Sequence, residues 1–340
     1  DGMRAIAVGA VVVHHAFPSL FEGGFVGVDV FFVLSGYLIS SIILAQLRKH
    51  KFSFVDFYAR RVKRIFPALF LVLATTLALG WFWLTPTDYK ALGKHVLAGS
   101  AFLSNFAFWQ EAGYFDAASA TKPLLHLWSL AIEEQFYVFW PLALFLVHRW
   151  QVNPLRFIFA VLLLSFAINM AIVKGNATAA FYNPLSRFWE LMIGAMLAAM
   201  HTYQVGWKGL LRLPAADAPA PQAPASALRA NLLSFTGLAL LLIVFARIRP
   251  ESSFPGAWAL LPTVGTVLLL AAGPQAWLNR RVLASKPFVW IGLISYPLYL
   301  WHWPFLAFSN IQATDGAPAW QAQLGWVALA VALAWLTYVL

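Results

Sequence analysis

The chain has 340 residues, of which 61% are apolar and only 11% charged, with no cysteine and a formal net charge of +10. So few charges exclude an average soluble domain, which carries about 25%, and the missing cysteine excludes a disulfide, a thiolate nucleophile and a Cys-ligated metal. The basic balance does not call for nucleic acid, because cytoplasmic loops of polytopic membrane proteins are rich in Lys and Arg.

Crossing a bilayer core of about 30 Å takes about 20 helical residues. Apolar runs that fit lie near 3–17, 26–45, 66–84, 127–148, 157–173, 188–202, 231–246, 258–275, 288–308 and 323–340. The expected fold is therefore all-α, a polytopic membrane bundle of about ten transmembrane helices. Residues 92–109, "LGKHVLAGSAFLSNFAFW", are apolar but interrupted by Lys94, His95 and small polar residues. If this stretch does not cross and the N-terminus is cytoplasmic, fifteen of the 23 Lys and Arg residues fall on cytoplasmic loops. That is the arrangement the positive-inside rule favours, so 92–109 is expected to be an outward-facing re-entrant or interfacial helix. Residues 213–231, "LPAADAPAPQAPASALRAN", read as a Pro/Ala-rich cytoplasmic linker. The abrupt start at Asp1 and the stop inside an apolar run at Leu340 lead us to expect a longer protein around a single membrane domain spanning 1–340.

Ionisable groups inside such spans are costly and mark a pathway or a site. Arg4 and His15 are eleven residues apart, about 20° past three helical turns, so they share a helix face about 16 Å apart. Snorkelling of Arg4 and helix capping by His15 would explain the same residues. His14 points elsewhere and is expected to pack. Asp29 stands near the start of the second span on the face of Gly36 and Ser40, placed either to orient a histidine of the first span or simply to meet the helix dipole. In "YARRVKRIFPAL", Arg61 and Arg64 share a face at the membrane edge and suit phosphate, although a positive-inside loop also accounts for the charge.

Glu133 and Glu134 are adjacent within an apolar span, so both cannot face lipid, and His126 lies seven residues before Glu133 on nearly the same face. At least one of the two must line a polar cavity. No tight spacing of His, Asp and Glu suggests a metal. Arg187 and Glu190 read as a structural i, i+3 ion pair, and His302, between Trp301 and Trp303, reads as an interfacial packing residue.

Together these stretches resemble the acyltransferase-3 family of bacterial integral-membrane acyltransferases. "DGMRAIAV" through His15 is similar to the family's Arg-ten-residues-His motif. "GVDVFFVLSGYLI", "YARRVKRIFPAL", "HLWSLAIEEQFY" and "SYPLYLWHWP" are similar to its later signatures, in order along essentially the whole chain. "GYFDAASATKPLLHLWSLAIEEQFY" and "SRFWELMIGAMLA" look most like members whose membrane domain is followed by a periplasmic SGNH-hydrolase-like domain.

The resemblance implies an O-acyltransferase of the bacterial inner membrane that takes an acyl group, commonly acetyl, from cytoplasmic acyl-CoA. The acceptor it implies is a hydroxyl of a cell-surface or exported glycan such as O-antigen, within lipopolysaccharide modification. On that reading Arg4, Arg61 and Arg64 bind acyl-CoA, and His15 acts as general base or acyl relay. Asp29 or Glu133 orients His15, and Trp128, Ser129 or Tyr137 steadies the oxyanion, with His126, Ser35 and His302 in support. No metal is expected. A proton-coupled secondary transporter or glycan flippase is the alternative for the same buried carboxylates and histidines.

Overall fold

The computed structural model describes residues 1–112, 119–211, 226–249, 252–313 and 318–340, and among them the chain is helical with no strand. In order the helices are α1 (Gly2–Ala16), α2 (Gly27–Arg48), α3 (Phe54–Trp83), α4 (Pro86–Ser100), α5 (Ser104–Glu111), α6 (Leu127–Arg149) and α7 (Pro154–Val173). They continue as α8 (Ala177–Tyr182), α9 (Pro184–Tyr203), α10 (Ala227–Arg247), α11 (Leu260–Ala272), α12 (Lys286–Leu293), α13 (Ser295–Gln312) and α14 (Trp320–Val339).

Local chemistry sets the starts. The side chains of Ser53, Thr85, Asn153, Asn176, Asn183 and Ser226 each accept a backbone N–H from the first turn of the helix that follows. This satisfies donors that the helix itself cannot. Pro86, Pro154 and Pro184 follow their caps directly, where a missing N–H costs nothing.

Each of the ten expected spans corresponds to a helix or, for 288–308, to α12 and α13 together. Six segments, Glu22–Arg48, α3, α6, α7, α10 and α14, are long and apolar enough to cross a membrane. α1 and α11 are apolar but shorter, with 15 and 13 residues, and α9 carries Arg187 and Glu190 in its first half. Many large apolar side chains face outward, among them Phe82, Phe139, Leu164 and Trp335. In water such a surface would be untenable, and in lipid it is required. The chain is a multi-pass helical membrane bundle.

Residues 92–109 are split between α4 and α5 by a turn in which Phe102 adopts φ +55°, and neither helix reaches a crossing length. Residues 213–225 of the expected linker lie outside the described residues, while 227–231, expected as linker, form the first turn of α10.

α2 and α9 run parallel and touch backbone to backbone. A Cβ at Gly36 would stand 1.9 Å from the Leu191 carbonyl oxygen, and one at Gly194 would stand 2.1 Å from that of Val33. Only glycine permits this approach. It sets the register that brings the N-terminal turns of both helices, and so Asp29 and Arg187, together.

Candidate active site

α3 has 30 residues, about 45 Å of helix, so roughly ten of them project past a 30 Å hydrocarbon core. Its polar N-terminal part carries Arg61 and Arg64. α1 starts at the same end of the bundle, and Arg4, Arg61 and Arg64 line one cavity of about 410 Å³ with Ser35 and Tyr137. Among the described residues no carboxylate lies within ion-pair distance of Arg61 or Arg64. The Arg61 guanidinium instead lies 4.9 Å from the Tyr137 ring centre. Ser35 and Tyr137 both donate to the same Glu133 oxygen, Oε1.

A narrower cavity of about 70 Å³ continues inward. It shares Arg4, Ser35 and Arg64 with the first and adds Glu133, Ser129 and Tyr299. Tyr299 donates to the His126 carbonyl at 2.8 Å, so the 2.6 Å contact between its oxygen and Ser129 Oγ is donated by the serine. Tyr299 and Val28 also line a third cavity of about 280 Å³, which holds His15, His126, Trp128 and Trp303.

In that third chamber His15 is half-buried and Nδ1 lies 2.9 Å from His302 Nε2. His302 Nδ1 is 3.1 Å from the Leu298 carbonyl. A carbonyl only accepts, so Nδ1 of His302 carries the proton and, in the neutral ring, Nε2 must accept from Nδ1–H of His15. The chain of bonds leaves His15 Nε2 with a free lone pair, which is what a base or a nucleophile needs. The Trp303 ring meets His15 edge-on at 4.4 Å and donates its indole N–H to the Lys122 carbonyl, which holds the imidazole in place. His126 lines the same chamber, and among the described residues neither of its ring nitrogens has a hydrogen-bond partner.

Against the same chamber sits a buried charge cluster. Arg187 Nη2 is 2.9 Å from Asp29 Oδ1 and 3.1 Å from Glu190 Oε2, and all three side chains are at most 1% exposed. The rings of Phe32, Trp128, Phe181 and Phe254 surround the guanidinium at 5.4–5.7 Å, an arrangement that favours a cation.

The structure sorts the sequence-predicted residues into two groups. Arg4, Arg61, Arg64, Ser35, Glu133 and Tyr137 gather at one end, while His15, His302, His126, Trp128 and Asp29 gather around the inner chamber, with Ser129 between them. This corrects three expectations. Neither Asp29 nor Glu133 hydrogen-bonds His15: Asp29 is taken by Arg187, Glu133 by Ser35 and Tyr137, and the partner of His15 is His302. Tyr137 belongs with the arginines, on the opposite side of the narrow cavity from His15. His302 is fully buried in the bundle and not an interfacial packing residue. His14, expected to pack away from His15, lines the same chamber, with its Nδ1 2.9 Å from the Phe21 carbonyl. Sequence reasoning missed Tyr299 and the place of Arg187 beside the chamber. The second was findable, because an arginine inside an apolar helix needs countercharge, and Asp29, read as an orienter of His15, is a carboxylate in another span able to supply it.

Outside the spans, His95 and Lys122 converge on Glu111 at 2.9 Å each. Partial burial pushes the Glu111 carboxyl up, but hydrogen bonds from Lys122 and His95 outweigh it and leave the group below its usual range.

Residues 1–340 match the family described as an acyltransferase domain. The chain is 32% identical over 321 residues to the peptidoglycan O-acetyltransferase OatA of Listeria monocytogenes, covering 91% of this chain and 49% of that protein. It is 30% identical over 324 residues to the O-acetyltransferase OatA of Staphylococcus aureus, covering 93% and 51%. The chain thus spans about half the length of the curated relatives it matches. No solved structure matches it at a significant level. With the match running end to end over residues 1–340, this chain belongs to the acyltransferase-3 family.

Proposed function

We propose that this chain carries out the membrane part of an O-acyl transfer, moving an acyl group, acetyl in the first instance, from acyl-CoA to a hydroxyl of a glycan across the bacterial inner membrane. The observation that carries the reading is the run of three cavities from the three arginines to His15, each sharing lining residues with the next. In this reading the Arg4 end of the bundle is cytoplasmic. Arg61 and Arg64, without carboxylate partners among the described residues, hold the phosphates of CoA through charge-assisted hydrogen bonds. Arg4 stands where the pantetheine arm enters the narrow cavity, and Glu133, fixed by Ser35 and Tyr137, keeps that passage polar.

The thioester then reaches the chamber of His15. As general base, His15 Nε2 takes the proton of the glycan hydroxyl while its oxygen attacks the thioester carbonyl carbon. The carbon–sulfur bond breaks, and the imidazolium returns the proton to the CoA thiolate, so ester and free thiol are the products. His302 keeps Nε2 of His15 unprotonated and aimed. The names of the relatives favour peptidoglycan over O-antigen as the acceptor.

The test is CoA release from acetyl-CoA by purified protein, wild type against His15→Ala, in the presence of a peptidoglycan-derived oligosaccharide. Release that requires both His15 and the oligosaccharide supports the reading. Acetyl-CoA binding at the arginine end with no His15-dependent release contradicts it.

A further inference from the structure

Arg187 is fully buried, yet among the described residues two of its three nitrogens, Nε and Nη1, have no hydrogen-bond partner. Buried guanidinium donors are normally satisfied, because leaving one bare costs about 1–3 kcal/mol or more for a charged group. A salt bridge to Asp29 through Nη2 accounts for the charge and not for the idle donors. Their position gives them a use: Arg187 lines the chamber that also holds His15. Four aromatic rings keep water off the guanidinium, which strengthens any bond it makes to a developing negative charge. Asp29 accepts a hydrogen bond from Nη2, and Glu190 Oε2 lies 3.1 Å from the same nitrogen, so the guanidinium is held before a ligand arrives.

We propose that Arg187 is the oxyanion-binding residue of the transfer, donating through Nε–H or Nη1–H to the oxygen that becomes negative when the hydroxyl attacks the acyl carbonyl beside His15. This rests on the acyl-transfer reading above and assigns the electrophilic half of the same chamber. Asp29 and Glu190 are then positioning residues, acting through the guanidinium. Trp128, expected to steady the oxyanion itself, instead forms part of the cage around Arg187, and Ser129 is engaged with Tyr299.

The experiment compares two inert CoA derivatives on the purified protein by competition with labelled acetyl-CoA: one with a planar ketone in place of the thioester, one with a tetrahedral, anionic methylphosphinate. Wild type is expected to bind the phosphinate about a hundredfold more tightly than the ketone, in the range of transition-state mimics. Arg187→Gln and Arg187→Lys are expected to bind the ketone as wild type does and to lose that preference to within a few-fold. Arg187→Lys retains a cation beside Asp29 and carries the test if the glutamine variant does not fold. No preference in wild type, or a preference that survives in the lysine variant, overturns the proposal and leaves Arg187 as a structural ion pair. Failure of the ketone itself to bind wild type would instead remove the donor reading on which the proposal rests.

Discussion

His15 and His302 lie 287 positions apart and meet through a 2.9 Å bond between Nδ1 of the first and Nε2 of the second. The Leu298 carbonyl fixes the proton on His302, and His302 fixes it on His15. The free nitrogen of His15 therefore depends on a residue at the other end of the chain. His302→Ala is expected to lower CoA release about a hundredfold, within the range for losing general base catalysis, with the KM for acetyl-CoA nearly unchanged. His302→Gln, which can still offer an acceptor oxygen to His15, is expected to retain more activity than the alanine variant. Steady-state kinetics of the two variants decide this.

The arginine end makes the opposite prediction. Arg61→Ala and Arg64→Ala remove binding to a part of the donor that does not react, so each is expected to raise the KM for acetyl-CoA about tenfold and leave kcat largely intact. The effect should shrink at high ionic strength, because screening weakens phosphate contacts at this partly exposed edge. Initial rates at two salt concentrations provide the check.

Gly194→Ala would place a methyl group 2.1 Å from the Val33 carbonyl oxygen. The two helices have no flexible side chain there to yield, so α2 and α9 must move apart, at a cost of about 1–3 kcal/mol. The expected outcome is a lowered melting temperature in detergent together with reduced activity, since the same contact holds Asp29 against Arg187.

Glu111 supplies a pH dependence. Its carboxyl titrates below its usual range in the folded protein, so its pairing with His95 and Lys122 is fully present above the ordinary glutamate value near about 4.3 and is lost as pH falls through the lower folded value. Hydrogen exchange in α4 and α5 is expected to rise across that acidic window, and Glu111→Gln, which holds no charge, should abolish the transition. The group is one-third exposed, so the effect is local loosening and not global unfolding.

The helices were readable from the sequence because lipid imposes a simple rule: long apolar runs between polar caps. Lys94 and His95 correctly marked 92–109 as a stretch that does not cross as one helix. Arg4 and His15 were readable as a pair because both sit on one helix, where spacing fixes the face. The partners across helices were not. Nothing local to "LYLWHWP" tells that His302 meets His15, and nothing local to "GVDVFF" tells that Asp29 turns to Arg187, 158 positions away. Assigning a carboxylate to His15 followed the usual chemistry of histidine bases, and the α2–α9 glycine contact, which commits Asp29 elsewhere, is a property of two segments packed together.

The most direct test of the account is sidedness. Protein is reconstituted with its Arg4 end outward in sealed vesicles that contain a peptidoglycan-derived oligosaccharide, and acetyl-labelled acetyl-CoA is added outside only. The account predicts label on the enclosed oligosaccharide for wild type and none for His15→Ala. Label that crosses equally in both proteins, or CoA released outside by wild type with no acetyl group reaching the enclosed acceptor, would contradict a transfer that runs through the bundle by way of His15.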